Sequence, residues 1–163
     1  MKFWIIIFLL FALTNSQAQE VNITMLRDLY KEASFEEDKA DELYELTKNS
    51  SFESGYKNFT YHAIAILLHS KFSVNPIYKL KSFVEGKEQL EKMISQYPKD
   101  IELRFLRFCI QDGTPTILDY KLNMVEDSQF IKNNLSTSSE ELQQFITPIF
   151  KILNDGRTSY TGR

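Results

Sequence analysis

The stretch Gln96-QYPKDIELRFLRFCIQDGTP-Pro115 decides how the chain is read. Pro98 stops one helix and Asp100 caps the next, since an aspartate before an apolar run satisfies the free N–H groups of a first turn. Ile101, Leu103, Phe105, Leu106, Phe108, Cys109 and Ile110 then cover most of the new helix's circumference. A helix apolar on nearly every side belongs in the centre of a domain. One narrow polar line interrupts it: Asp100, Arg104, Arg107 and Gln111, at spacings of four, three and four. Gly113 in "DGTP" is expected to end the helix as its C′ residue.

Outward from this stretch, helical spacing recurs and no segment alternates apolar and polar residues. The reading is an all-α single domain: an antiparallel helical bundle of five to seven helices. Leu26, Leu29, Tyr30 and Ala33 form the first stripe, with Asn22 or Thr24 as cap. Ser34 and Glu37 have capping-box spacing, so the helix is expected to break and restart there, continuing with Ala40, Leu43, Tyr44 and Thr47. A turn at 49–55 precedes a helix from about Ser54 to Phe72. Asn75-Pro76 opens a further helix, with proline at the first position, where its missing N–H costs nothing. Ile77, Leu80, Phe83, Val84, Leu90, Met93, Ile94 and Tyr97 give it one apolar face. Lys81–Glu85 and Glu88–Lys92 are expected i,i+4 pairs, and Gly86 is expected to face a neighbouring backbone. After Pro115 come a short turn near Ile117–Tyr120 and a helix from about Asn123 to Asn133. Ser138 and Glu141 suggest a second capping box. The last helix is expected to be kinked by Pro148 and to end at Asp155-Gly156.

The N-terminus "MKFWIIIFLLFALTNSQAQE" has a lysine, eleven unbroken apolar residues from Phe3 to Leu13, and small residues at Ser16 and Ala18. That is the pattern of a secretory signal peptide, too short in its apolar run to span a bilayer. The expected division is residues 1–18 as signal, 19–156 as the helical domain and 157–163 as a flexible tail. The product is expected to be exported, periplasmic or secreted, and soluble, with no membrane span in the mature chain. The full sequence has a formal charge of −3, and −4 once Lys2 leaves with the signal, which speaks against nucleic acid, since that calls for a strong positive field. Charge is uneven: Gln19 to Glu53 carries ten acids and four bases, whereas 54–121 carries seven acids and ten bases. Such a split suits either solvated faces or a first hairpin lying on a basic centre.

Candidate chemistry is sparse. Cys109 is the single cysteine and reads as a small buried hydrophobe. His62 and His69 lie seven apart, about 10 Å along a helix, too far for one ion. No glycine-rich phosphate loop, G-x-S-x-G or HExxH occurs, so no catalytic, cofactor or metal residues are assigned. Asn22, Asn49, Asn58 and Asn134 fit the glycosylation sequon. The candidate site is Arg104 with Arg107. Either they form internal ion pairs with Asp100, Asp112, Asp119 or a carboxylate of the first helix, or they floor a groove that grips a partner's carboxylate.

The stretches "LYKEAS…LYELTK", "YKNFTYHAIAILLHSKF", "FVEGKEQLEKMISQYPKDIELRFLRFCIQDGTP" and "STSSEEL" resemble a family of small secreted helical proteins of unknown function from Bacteroidetes-type bacteria. The tyrosine-proline junction followed by arginines at i and i+3 also resembles the boundary between tetratricopeptide-type repeats. This resemblance implies tetratricopeptide-like stacking of helical hairpins; it brings no activity or cofactor. The expected function is a non-catalytic binding or scaffold module with a protein partner. The alternatives are an enzyme or accessory subunit of a periplasmic hydrolytic pathway, and a purely structural self-associating protein.

Overall fold

The computed structural model describes residues 22–161, which form a helix-packed domain of seven α-helices, with no strand among the described residues. They are α1 (Ile23–Ala33), α2 (Glu37–Thr47), α3 (Tyr56–Phe72), α4 (Pro76–Gln96), α5 (Ile101–Gly113), α6 (Met124–Asn134) and α7 (Glu140–Thr161). Short connections, three of them containing single 3-10 turns, send the chain back and forth. The signal-peptide reading lies outside the described residues.

Local chemistry accounts for most boundaries. Asn22 Oδ1 accepts the N–H of Thr24, and Asn75 Oδ1 accepts those of Ile77 and Tyr78 ahead of Pro76. The opening junction is clamped from several sides. One Asp100 oxygen accepts the N–H groups of Glu102 and Leu103, the other accepts Tyr56 Oη at 2.9 Å, and the Tyr97 ring stacks on Tyr56. Gly55 precedes α3 at φ 112°, a left-handed conformation that side chains disfavour.

Four local expectations are corrected. Ser34 does not box with Glu37; its hydroxyl turns back to Tyr30 O and closes α1, and Glu36 precedes α2 without a side-chain cap. The cap of α7 shifts by one residue. Ser139 Oγ accepts the Leu142 N–H while Ser138 bonds back to Leu135. Gly113 is the last helical residue rather than a left-handed C′, with Thr114 as the C-cap. The last helix, with Pro148 inside it, does not end at Asp155-Gly156 but continues to Thr161. A helical glycine costs only about 1 kcal/mol against alanine, too little to end a helix unaided.

Helix α5 is central, as its composition requires, and it shares the centre with α3. Leu103, Phe105, Leu106 and Phe108 are buried on α5, and Tyr61 and Ala63–Leu68 on α3. An aromatic file ties four helices together edge to face: Tyr61 on α3, Tyr30 on α1, Phe145 on α7 and Phe105 on α5. Such contacts contribute about 0.5–1.5 kcal/mol each beyond area burial. Gly86 is where α4 crosses α3. A Cβ there would sit 2.7 Å from Leu67 Cγ and 2.8 Å from the Ala63 carbonyl oxygen, so only glycine lets the helices close. Cys109 is half-buried against this core.

Helix α4 departs from its expected single apolar face. Phe83, Leu90, Met93 and Ile94 point inward, but Ile77, Leu80 and Val84 point out. It is an edge helix, and its first turn and a half stands clear of the core.

Candidate functional site

The two arginines on the polar line of α5 turn inward to the protein's own carboxylates. Arg107 forms a two-pronged pair with Asp127 of α6, Nε to Oδ2 at 2.7 Å and Nη2 to Oδ1 at 2.8 Å. Its third bond reaches Glu91 Oε2 on α4 at 2.8 Å, and Glu91 in turn accepts the Tyr120 hydroxyl. Arg104 donates to Pro98 O at 2.9 Å, to Glu126 at 2.7 Å and to Asp127 at 3.0 Å, with its guanidinium over the Phe130 ring. Asp127 is wholly buried. Burial would lower the affinity of the Arg107 guanidinium for its proton, but the bonds to Asp127 overcome this and leave it raised. The partners are therefore Asp127, Glu91 and Glu126 rather than Asp100, Asp112 or Asp119. Asp100 is occupied as the cap of its own helix. With side chains only 12% and 5% exposed, neither arginine floors a groove.

A second buried cluster has no counterpart in the sequence reading. Glu102, 0% exposed, accepts Nε and Nη2 of Arg27 at 2.7 and 2.8 Å, Lys57 Nζ at 2.7 Å and Tyr61 Oη at 2.9 Å. Burial alone would push the Glu102 carboxyl up; Arg27 and Lys57 outweigh it and hold it below the ordinary glutamate value. The same burial, together with the Glu102 charge, pushes the Tyr61 phenol well up. Lys57 and Tyr61 stand four apart and so share one face of α3, but nothing in the sequence near them names Glu102 as their acceptor. This cluster also bears on the charge asymmetry. Its buried pair runs from a base in the acidic N-terminal segment to an acid in the basic centre, the reverse of a hairpin held by its net charge.

The histidines occupy separate surroundings. His62 Nδ1 lies 3.3 Å from Thr47 Oγ1, and burial lowers its affinity for a proton. His69 stacks on Tyr44, with Nε2 3.1 Å from Asp41 and Nδ1 3.2 Å from the Tyr78 hydroxyl. This Asp41–His69–Tyr78 chain edges a small polar pocket of about 170 Å³ between α2, α3 and α4. Among the described residues, no three His, Cys, Asp or Glu side chains converge on a point where a metal ion would sit.

One surface open to a partner is the outward face of α4, where several exposed apolar side chains are contiguous. Val74, Ile77, Leu80 and Val84 are 99%, 80%, 53% and 43% exposed. Pro76, Ile77, Leu80, Lys81 and Val84 line a shallow groove of about 490 Å³. Residues 77, 80 and 84 share one helical face, so the stripe is continuous. The expected Lys81–Glu85 and Glu88–Lys92 pairs are not formed, and Lys79 and Lys81 make no ion pair among the described residues. No family model, curated protein or solved structure matches the chain. No helix among the described residues is long and apolar enough to cross a membrane.

Proposed function

We propose that this chain is an exported, non-catalytic protein-binding module, built on tetratricopeptide-like stacking of helical hairpins and related to the small secreted helical family it resembles. The observation that carries the binding reading is the apolar stripe of Ile77, Leu80 and Val84 on the outer side of α4, beside Lys81, which makes no ion pair among the described residues. Continuous apolar surface of this kind mark interaction sites more often than scattered exposed side chains do. The charged clusters support the same reading from the other side. Arg104, Arg107 and Glu102 are consumed by internal pairs and are not free to act on a substrate. The export reading is supported by Lys2, the apolar run from Phe3 to Leu13, and Ser16 with Ala18.

Two measurements test these readings. A photo-crosslinking amino acid at Leu80, in cells that export the protein, is expected to give a discrete protein adduct that an Ile77→Asp change abolishes. The same probe at exposed Lys132 is expected to give none. Equal background at both positions would overturn the binding reading. The intact mass of the exported chain is expected to start at Gln19; a mass retaining Met1 would overturn export.

A further inference from the structure

We propose that the pocket between α2, α3 and α4 is a binding site for a small zwitterionic amino acid. It lies beside the stripe on α4 but is walled by three helices, with Lys81 on the rim that the two share. Asp41 of α2, His69 of α3 and Tyr78 of α4 are joined along its edge by the 3.1 and 3.2 Å contacts of the His69 ring, and that ring stacks on Tyr44. The wall is thus set before anything enters, which lowers the ordering cost of binding. Ser82 is the observation that points to an occupant. It lines the pocket, is only 6% exposed, and its hydroxyl makes no hydrogen bond among the described residues. A helical serine this deeply buried ordinarily bonds back to a carbonyl in the preceding turn, as Ser70 does to Leu67 O at 2.8 Å. Ser82 forgoes that bond, and its hydroxyl opens onto the pocket. A buried polar group calls for a partner, and here the partner must come from the space itself.

The rim selects the ligand class. Lys81 and Glu85 line the pocket on either side of Ser82, one turn apart, yet neither forms an ion pair among the described residues. Lysine ahead of glutamate is the weaker order for an i,i+4 pair, which leaves both heads free. The Glu85 carboxylate takes only a 3.5 Å contact from Gln89 Nε2. Asp41 is already engaged by His69. A ligand that is only an anion is repelled by Glu85, and one that is only a cation by Lys81; a ligand bearing both charges is opposed by neither. In the bound arrangement its carboxylate accepts from Lys81 Nζ and the Ser82 hydroxyl, and its ammonium donates to the Glu85 carboxylate. Buried Ile66 lines the same pocket and gives the ligand's methyl or methylene groups an apolar wall. At about 170 Å³ the space suits a molecule near the size of benzene, for which a cavity of about 150 Å³ suffices. The fit is therefore to glycine, alanine or β-alanine and not to a peptide.

Amide chemical shifts of the isotope-labelled exported chain, followed during titration with glycine, L-alanine and β-alanine, test this. At least one of the three is expected to give saturable shifts centred on Lys81, Ser82 and Glu85. Acetate and methylammonium, each carrying one of the two charges, are expected to bind about tenfold or more weakly. Ser82→Ala and Glu85→Gln are each expected to weaken amino acid binding about tenfold or more, with thermal melts that match the parent. Should Ser82→Ala melt early, Lys81→Gln at the exposed rim carries the same expectation without touching a buried side chain. No saturable shift with any of the three amino acids would leave the pocket to ordered water and overturn the proposal. Acetate or methylammonium binding as tightly as the amino acid would overturn it too, since one charge would then suffice. So would binding unchanged in the Ser82→Ala or the Glu85→Gln chain, since the ligand would then sit elsewhere. The stripe at Ile77, Leu80 and Val84 is read separately, by crosslinking at Leu80, so either reading can fall while the other stands.

Discussion

Between Ile101 and Asp112 on α5, no residue is exposed although four carry charge; between Pro76 and Lys81 on α4, every residue is exposed although Pro76, Ile77 and Leu80 are apolar. The two helices are consecutive in the chain and invert the usual distribution of polarity. The contrast teaches that burial is granted by partners rather than by side-chain type. Arg107 and Glu102 go inside because α6, α4, α1 and α3 each bring a complementary group to hydrogen-bonding distance. Ile77 and Leu80 stay outside because no element of the described chain lies over that side of α4. An unpaired buried charge costs far more than an uncovered leucine, so the chain tolerates the second and not the first.

The comparison is broken most directly at Asp127. Asp127→Ala leaves Arg107 buried with one carboxylate fewer and is expected to cost about 3–5 kcal/mol in urea unfolding. A loss no larger than that of a surface variant would place α5's charges on the same footing as α4's exposed face. Arg107→Ala is expected to cost more than Arg104→Ala, because Arg107 holds buried Asp127 with two short bonds, whereas Arg104 gives it one bond at 3.0 Å and its other carboxylate, Glu126, is largely in water.

Gly86→Ala follows, at about 1–3 kcal/mol, because the new methyl overlaps the Ala63 carbonyl and Leu67 where α4 meets α3. An unchanged thermal midpoint would mean that the inner side of α4 is no better packed than its outer side.

Acid titration sharpens the contrast at Glu102. Its carboxyl binds a proton less readily in the folded state than in the unfolded chain. Its stabilisation is therefore complete above the ordinary glutamate value of about 4.3 and is lost as pH falls below that through the folded value. The stability gap between the parent and Glu102→Gln is expected to be widest at neutral pH and to narrow under acid. A gap that stays constant through the acid range would remove ionised Glu102 from the account.

The smallest effect belongs to the exposed stripe. Leu80→Ser is expected to change folding stability by no more than about 0.5 kcal/mol, as surface substitutions do. A loss of several times that would show the stripe covered within the folded chain.

Much of the fold was legible because its causes are local. Asn22, Asn75 and Asp100 satisfy N–H groups two or three residues away, and the central role of α5 follows from apolar residues on most of its turns. The misread ends have local causes too, in which close competitors won. Ser34 bonded backward instead of forward, Ser139 displaced Ser138, Gly113 closed its helix from inside rather than as a left-handed C′ residue, and Gly156 was not a strong enough breaker to stop a helix by itself. The candidate pair Arg104 and Arg107 was found by sequence, which left open whether they pair internally or grip a partner. The identity of their internal partners did not follow from it. Asp127 is 20 residues from Arg107, and Glu102 is 75 from Arg27. Periodicity marks which side of a helix is apolar but carries nothing about what lies across from it. Helix class, the caps at Asn22, Asn75 and Asp100, and the burial of α5 were thus written in the sequence, where each depends on a few neighbouring residues. The pairing of buried charges and the uncovered face of α4 were decided only when seven helices packed, because each is a relation between elements distant in the chain.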